Sequence, residues 1–253
     1  MTDSRSFFNL YSHNFVRVAA AIPQGLVADP AFNAKQTIAL MREAAERKAV
    51  LVTFPELGLS AYSCEDLFHQ QALLDASRDA LAKVVEASAK IPVTAVVGVP
   101  LVIDSLLFNC AAVVRQGRIL GLIPKTYLPN YREFYELRQF TPADHRLRDT
   151  VDLCGQRDIP FSNRLLFQAE RLAQQLYQQG ASLDRRRNRL AIHGEAHRLL
   201  HRTLLTLPGD AHRPASQGGV SCAVGARSRR LKCHKIRYIP PVITHSRGWL
   251  TGS

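Results

Sequence analysis

A layered α/β domain with both parallel and antiparallel strands is predicted by three features of the sequence. A short apolar run, a helix-patterned segment and a second apolar run succeed one another in residues 16–54, the order of a βαβ unit. A near-continuous apolar stretch at 93–102 (VTAVVGVPLV) has the composition of a strand covered on both sides. Two further strand-like runs flank Gln116-Gly117, a tight-hairpin signal. The chain has 253 residues, 46% of them apolar, enough for one substantial core.

Residues 16–22 (VRVAAAI) are of strand length, and Asp29-Pro30 then supplies an N-cap acid and a proline at the first helical position. Ala34, Ile38, Met41 and Ala45 form one apolar stripe on that helix, with Lys35, Arg42, Glu43 and Glu46 on its other faces. The strand at 49–54 follows and stops at Pro55-Glu56, within VLVTFPELGLSAYS (50–63). A carboxylate at the carboxyl end of an apolar strand lies where open α/β sheets form ligand crevices, and burial there can tune it as a general base. A second helical region is expected over 65–90, with Leu74, Leu81, Val85 and Ser88 on one face and Ile91-Pro92 closing it. The hairpin strands at 108–115 and 118–123 lead into GLIPKTYLPNYREFYELRQF (121–140), which places Lys125 at another strand end. Tyr127, Tyr131, Glu133, Tyr135 and Glu136 crowd around it.

Composition narrows the function. No stretch approaches the roughly 18 apolar residues of a membrane span, and residues 1–11 have no apolar signal-peptide core, so a cytoplasmic protein is expected. Five widely spaced cysteines, Cys64, Cys110, Cys154, Cys222 and Cys233, include no CxxC pair, which favours free thiols over disulfides or a zinc site. The net charge of +12 is uneven: residues 1–168 hold 18 Lys+Arg against 17 Asp+Glu, and residues 169–253 hold 15 against 4.

The combination of FPEL (54–57) with PKTYLPNYREFYE (124–136) resembles the carbon–nitrogen hydrolase (nitrilase) superfamily. The YREFYE wording and the opening FFNLYSHNFVRVAAAIP (7–23) are similar to one branch, the amino-terminal glutaminase domain of bacterial glutamine-dependent NAD synthetases; the likeness runs from about residue 7 to 167. It implies a nitrilase-like αββα sandwich and a Glu-Lys-Cys triad acting on amide carbon–nitrogen bonds. Glu56 would be the general base that deprotonates a cysteine, and Lys125 the cation that stabilises the oxyanion. Tyr131 would hold the glutamine substrate, and Glu133 would be a supporting carboxylate, with Glu136 as its rival. No cofactor is implied for glutamine hydrolysis; ATP and Mg would serve a synthetase domain, whose glycine- and serine-rich pyrophosphate loop has no counterpart before Ser253.

The family's nucleophile lies on a later strand exit, in a sequence like E-I-C-E-D. Here the corresponding region reads LFQAERLAQQLYQQGASLDRRRNRL (166–190), and no cysteine falls between Cys154 and Cys222. Cys64 and Cys154 are read as partly buried thiols rather than substitutes. Because the likeness and the charge balance change together near 168, residues 1–168 are expected to be the amino-terminal part of the hydrolase domain. Residues 169–253 are expected to be an atypical basic tail, disordered or encoded in a shifted frame, so the sandwich should be incomplete and aggregation-prone.

Three readings follow: a glutamine amidohydrolase supplying ammonia for NAD synthesis, a truncated and catalytically silent homologue associating with itself or with intact relatives, and a basic nucleic-acid-binding protein. The last rests on Arg185-Arg186-Arg187-Asn188-Arg189 and the cluster from Arg227 to Arg237, which lack stacking aromatics and read more simply as solvated charge. His193, His197 and His201 share a helical spacing, but Gly194 weakens that helix and HGEAH is not a zinc-binding HExxH, so no metal is expected.

Overall fold

A computed structural model describes residues 15–167 and 230–237. The fold is α/β. β1 (Phe15–Ile22) leads into α1 (Pro30–Glu46), β2 (Leu51–Thr53) and α2 (Gln71–Ser88). β3 (Thr94–Ile103), β4 (Leu106–Arg115) and β5 (Arg118–Pro124) follow as a meander. A short α3 (Glu136–Gln139) and the hairpin β6 (Thr150–Leu153) and β7 (Gln156–Pro160) come next. β8 (Arg230–Arg237) completes a six-stranded sheet of order β5-β4-β3-β2-β1-β8.

The βαβ expectation holds: β1 and β2 are parallel, as are β2 and β3, and the rest of the sheet is antiparallel. The Asp29 carboxylate accepts the Phe32 N–H at 3.0 Å and Pro30 opens α1, so the sequence signals for a helix start are both used. The buried face of α1 is rotated from the expected stripe. It runs through Asn33, Ala34, Thr37, Leu40, Met41 and Ala44, leaving Ile38 and Ala45 half-buried at its margin. Asn33 explains why a polar residue takes the inner face: its amide donates to the Leu26 and Leu59 carbonyls and its Oδ1 accepts from the Leu26 N–H.

The region expected as one helix over 65–90 is divided. Glu65–His69 is a 3-10 turn, Gln70 is extended (φ −88°, ψ 118°), and only then does α2 begin. Phe68 is the cause, since it packs edge-on against Phe140 with ring centroids 4.9 Å apart. At the other end of α2, the buried Ser88 hydroxyl donates to the Val85 carbonyl at 2.6 Å and accepts the Gly117 N–H at 2.8 Å. That bond fastens the β4–β5 turn, where Gln116 (φ 48°) and Gly117 (φ 75°) both adopt the left-handed conformation of a two-residue hairpin.

Alternation along the strands gives the sheet two apolar faces. Val97, Val99, Cys110, Ala112 and Val114 face α1 and α2 in the main core, which also takes in Phe54, Phe108 and Phe161. Each large side chain buried there contributes about 1.5–3 kcal/mol. Val96, Ala111, Val113 and Ile123 point to the opposite face, against Leu165 and Phe167. Asn109 shares the parity of Ala111 and Val113, and the site described below opens on that face.

The sequence reading finds no sustained strand pattern after residue 168, yet β8 pairs antiparallel with β1 over the whole of the latter, from Phe15↔Arg237 to Ile22↔Arg230. Otherwise the tail lies outside the described residues, including Arg185 to Arg189 and the histidines at 193, 197 and 201. Among the described residues no helix is long and apolar enough to cross a membrane.

Candidate active site

Strand β2 ends at Thr53, and the chain turns sharply through Pro55, Glu56, Leu57 and Gly58, with the Gly58 N–H donating to the Pro55 carbonyl at 3.1 Å. Leu57 takes a left-handed conformation (φ 51°), costly for a non-glycine residue and held here by complete burial of its side chain. Gly98 on β3 lies directly behind this turn. A Cβ at that position would stand 2.4 Å from the Leu57 nitrogen and 2.6 Å from the Pro55 carbonyl oxygen. The absence of a side chain at residue 98 therefore lets the turn sit against the sheet and aims Glu56 across the strand ends.

Lys125 follows β5 and reaches the same point. Its ammonium nitrogen lies 2.6 Å from Glu56 Oε1, and 2.8 Å and 2.7 Å from the two carboxylate oxygens of Glu136. All three side chains are largely shielded, at 11% exposure for Lys125, 16% for Glu56 and 5% for Glu136. The lysine thus stands between two carboxylates that would otherwise repel each other across a partly dry site, offsetting part of their charge. Asn109 Nδ2 donates to Glu56 Oε1 at 2.6 Å. The Tyr62 hydroxyl donates to Glu136 Oε1 at 2.7 Å, and burial, followed by that hydrogen bond and the charges of Glu136 and Glu56, pushes its pKa far above the usual tyrosine value.

The structure brings Glu56 and Lys125 together and separates the two candidate supporting carboxylates. Glu136 takes the position on Lys125, because α3 buries it while its N–H donates to the Pro129 carbonyl. Glu133 is exposed, on the rim of a neighbouring cleft of about 370 Å³, so it does not support the lysine. Tyr131 is 63% exposed and stacks obliquely on Phe134, with centroids 5.6 Å apart. It lies close enough to Tyr62 to add to the rise in that phenol's pKa. The cleft meets the ion cluster at Tyr62 and Glu136, and Phe134, Tyr135 and Phe140 help to line it.

Asn109 and Tyr62 are the members that sequence reasoning missed. Asn109 carried a signal, a lone amide in an apolar strand (LLFNCAAVVR). Tyr62 carried none, because nothing in the loop pattern distinguishes it from a surface tyrosine.

No described thiol is bonded to the cluster. Cys64 is buried, as expected of a structural thiol, and donates to the Ser60 carbonyl at 3.1 Å. Cys110 faces the helical core, where burial drives its pKa far up. Cys154 occupies the β6–β7 turn (φ 51°) near Arg78 and Asp79, and burial raises its pKa too. Cys222 lies outside the described residues, and of Cys233 only its place in β8 is described.

Comparison with known proteins gives a consistent picture. The family model described as Carbon-nitrogen hydrolase matches residues 17–162. The chain is 44% identical over 167 residues to the glutamine-dependent NAD(+) synthetase of Mycobacterium tuberculosis, covering 66% of this chain and 24% of the relative. It is 41% identical over 163 residues to the protein of the same name from Mycobacterium leprae, covering 64% and 24%. Among solved structures, a glutamine-dependent NAD(+) synthetase from Cytophaga hutchinsonii aligns with a TM-score of 0.56 at 25% identity, over 61% of this chain and 26% of that one. The chain therefore spans about a quarter of the length of these relatives.

Proposed function

The chain belongs to the carbon–nitrogen hydrolase family, and from that premise we propose that Glu56, Lys125 and Glu136 form the base-and-cation part of a site that hydrolyses the side-chain amide of glutamine. The observation that carries this reading is the position of Lys125 Nζ, shared between the carboxylates of Glu56, just after β2, and Glu136, at the start of α3. Glu56 would accept the proton of the attacking nucleophile, and Lys125 would stabilise the negative oxygen that develops as the amide carbon becomes tetrahedral. Glu136 holds the lysine in place through both of its carboxylate oxygens. Tyr131, exposed beside Phe134, would contact the substrate. The relatives' name suggests that the ammonia released serves NAD synthesis, with ATP and Mg used in a part of those proteins that this chain does not match.

A second reading, a catalytically silent homologue, is favoured by one observation: none of the three described thiols touches the cluster. Ammonia release from glutamine, measured on the purified chain and on Glu56→Ala, separates the two. Release that the substitution abolishes establishes the hydrolase reading. No release from the unsubstituted chain, with binding of glutamine still detectable by calorimetry, establishes the silent one. A salt-sensitive DNA shift, lost on removing residues 169–253, would instead point to the basic tail.

A further inference from the structure

We propose that Asn109 is the positioning residue of this site, setting where Glu56 stands relative to Lys125 and holding its carboxylate in the ionised form. The inference rests on the hydrolase reading for its meaning in catalysis, but not for its test. Asn109 touches both members of the pair: its side-chain amide donates to Glu56 Oε1 at 2.6 Å, and its main-chain carbonyl accepts the Lys125 N–H at 2.8 Å. One residue in the middle of the sheet therefore clasps the turn after β2 and the exit of β5.

The amide can point only one way. Rotated by half a turn, Oδ1 would face the Glu56 carboxylate, oxygen against oxygen, so Nδ2 must be presented to it. The consequence is visible on the other side, where Asn109 Oδ1 is buried without a hydrogen-bond partner in a residue that is itself 0% exposed. A fold that leaves a buried carbonyl unpaired in order to aim the amide at Glu56 is spending stability on orientation. Lys125 and Asn109 both land on Oε1, and two donors on one oxygen fix the carboxylate's rotation more narrowly than the lysine alone. A donor to the charged form also lowers a carboxyl pKa. Among the described residues, the charged and titratable groups near Glu56 include Lys125, Glu136 beyond it, and Tyr62, whose phenol senses the Glu56 charge.

The test is a carboxyl NMR titration of the full chain labelled with glutamate carrying ¹³C at the side-chain carboxyl, with Glu56→Gln identifying the resonance. Asn109→Leu should move the Glu56 midpoint up by about one pH unit. Asn109→Asp, which replaces the donor with a like charge, should move it further. Asn109→Ser is the variant to use if leucine does not fold; its hydroxyl is too short to reach, and the midpoint should rise as with leucine. A folded leucine or serine variant with a lower melting temperature but an unmoved Glu56 midpoint would overturn the proposal, since that is what a purely structural asparagine predicts. Failure of the hydrolase reading would show as absent ammonia release and leave this titration untouched.

Discussion

The residues of the site are coupled through charge and hydrogen bonds, and Tyr62 shows how this reaches stability. Its pKa is raised in the folded protein, so the folded state favours the neutral phenol. The stabilisation is fully present below the unfolded tyrosine value of about 10 and is lost as pH rises above it toward the folded value. Urea midpoints followed from pH 9 to 11.5 should therefore fall more steeply for the natural chain than for Tyr62→Phe; parallel curves would show that the phenol does not contribute. Glu56 and Lys125 were legible because proline and strand endings mark both positions in the sequence. Choosing Glu136 over Glu133 was not possible from sequence alone: the two are three apart in one loop, and only the helical turn that buries Glu136 distinguishes them. Asn33 and Asn109 escaped because hydrophobic periodicity treats a buried amide as a flaw in the pattern rather than as a tether.

Elements matter here chiefly through how closely they approach. The turn after β2 rests on β3 at Gly98, and alanine there would collide with backbone rather than with a movable side chain. Gly98→Ala should cost about 1–3 kcal/mol in a denaturant titration and also displace Glu56, weakening its bond to Lys125. A variant with unchanged stability would mean that the turn relaxes freely. The βαβ unit and the Gln116-Gly117 hairpin could be read from local pattern, since apolar runs and turn residues report backbone conformation directly. The interruption at Gln70 could not, because no proline or glycine marks it and Phe68 is drawn instead to Phe140, a partner distant in sequence. The β6–β7 hairpin was missed for a similar reason: its strands are four and five residues long and mostly polar, and Ile159 is buried only through contact with the main core.

At the scale of the molecule, the described residues form a six-stranded sheet and a two-stranded hairpin, with α1 and α2 on one face of the larger sheet and the ion cluster at its strand exits. β8 joins the sheet from beyond residue 168, pairing with β1. Pairing with β8 covers the backbone of β1, an eight-residue strand that would otherwise present unpaired amides and carbonyls. Cys233→Pro, opposite Ala19 in the register, places a proline, which sheet interiors tolerate poorly, in the middle of that ladder. It should increase concentration-dependent association measured by light scattering; a variant as monodisperse as the natural chain would show that the edge needs no such cover.

That pairing has an evolutionary reading. A sheet edge recognises amides and carbonyls, which every residue but proline carries in the same form, and is largely indifferent to what the side chains spell. Substitutions in residues 230–237 other than to proline therefore leave the groups that pair with β1 in place, and that strand can drift in sequence while the sheet edge stays covered.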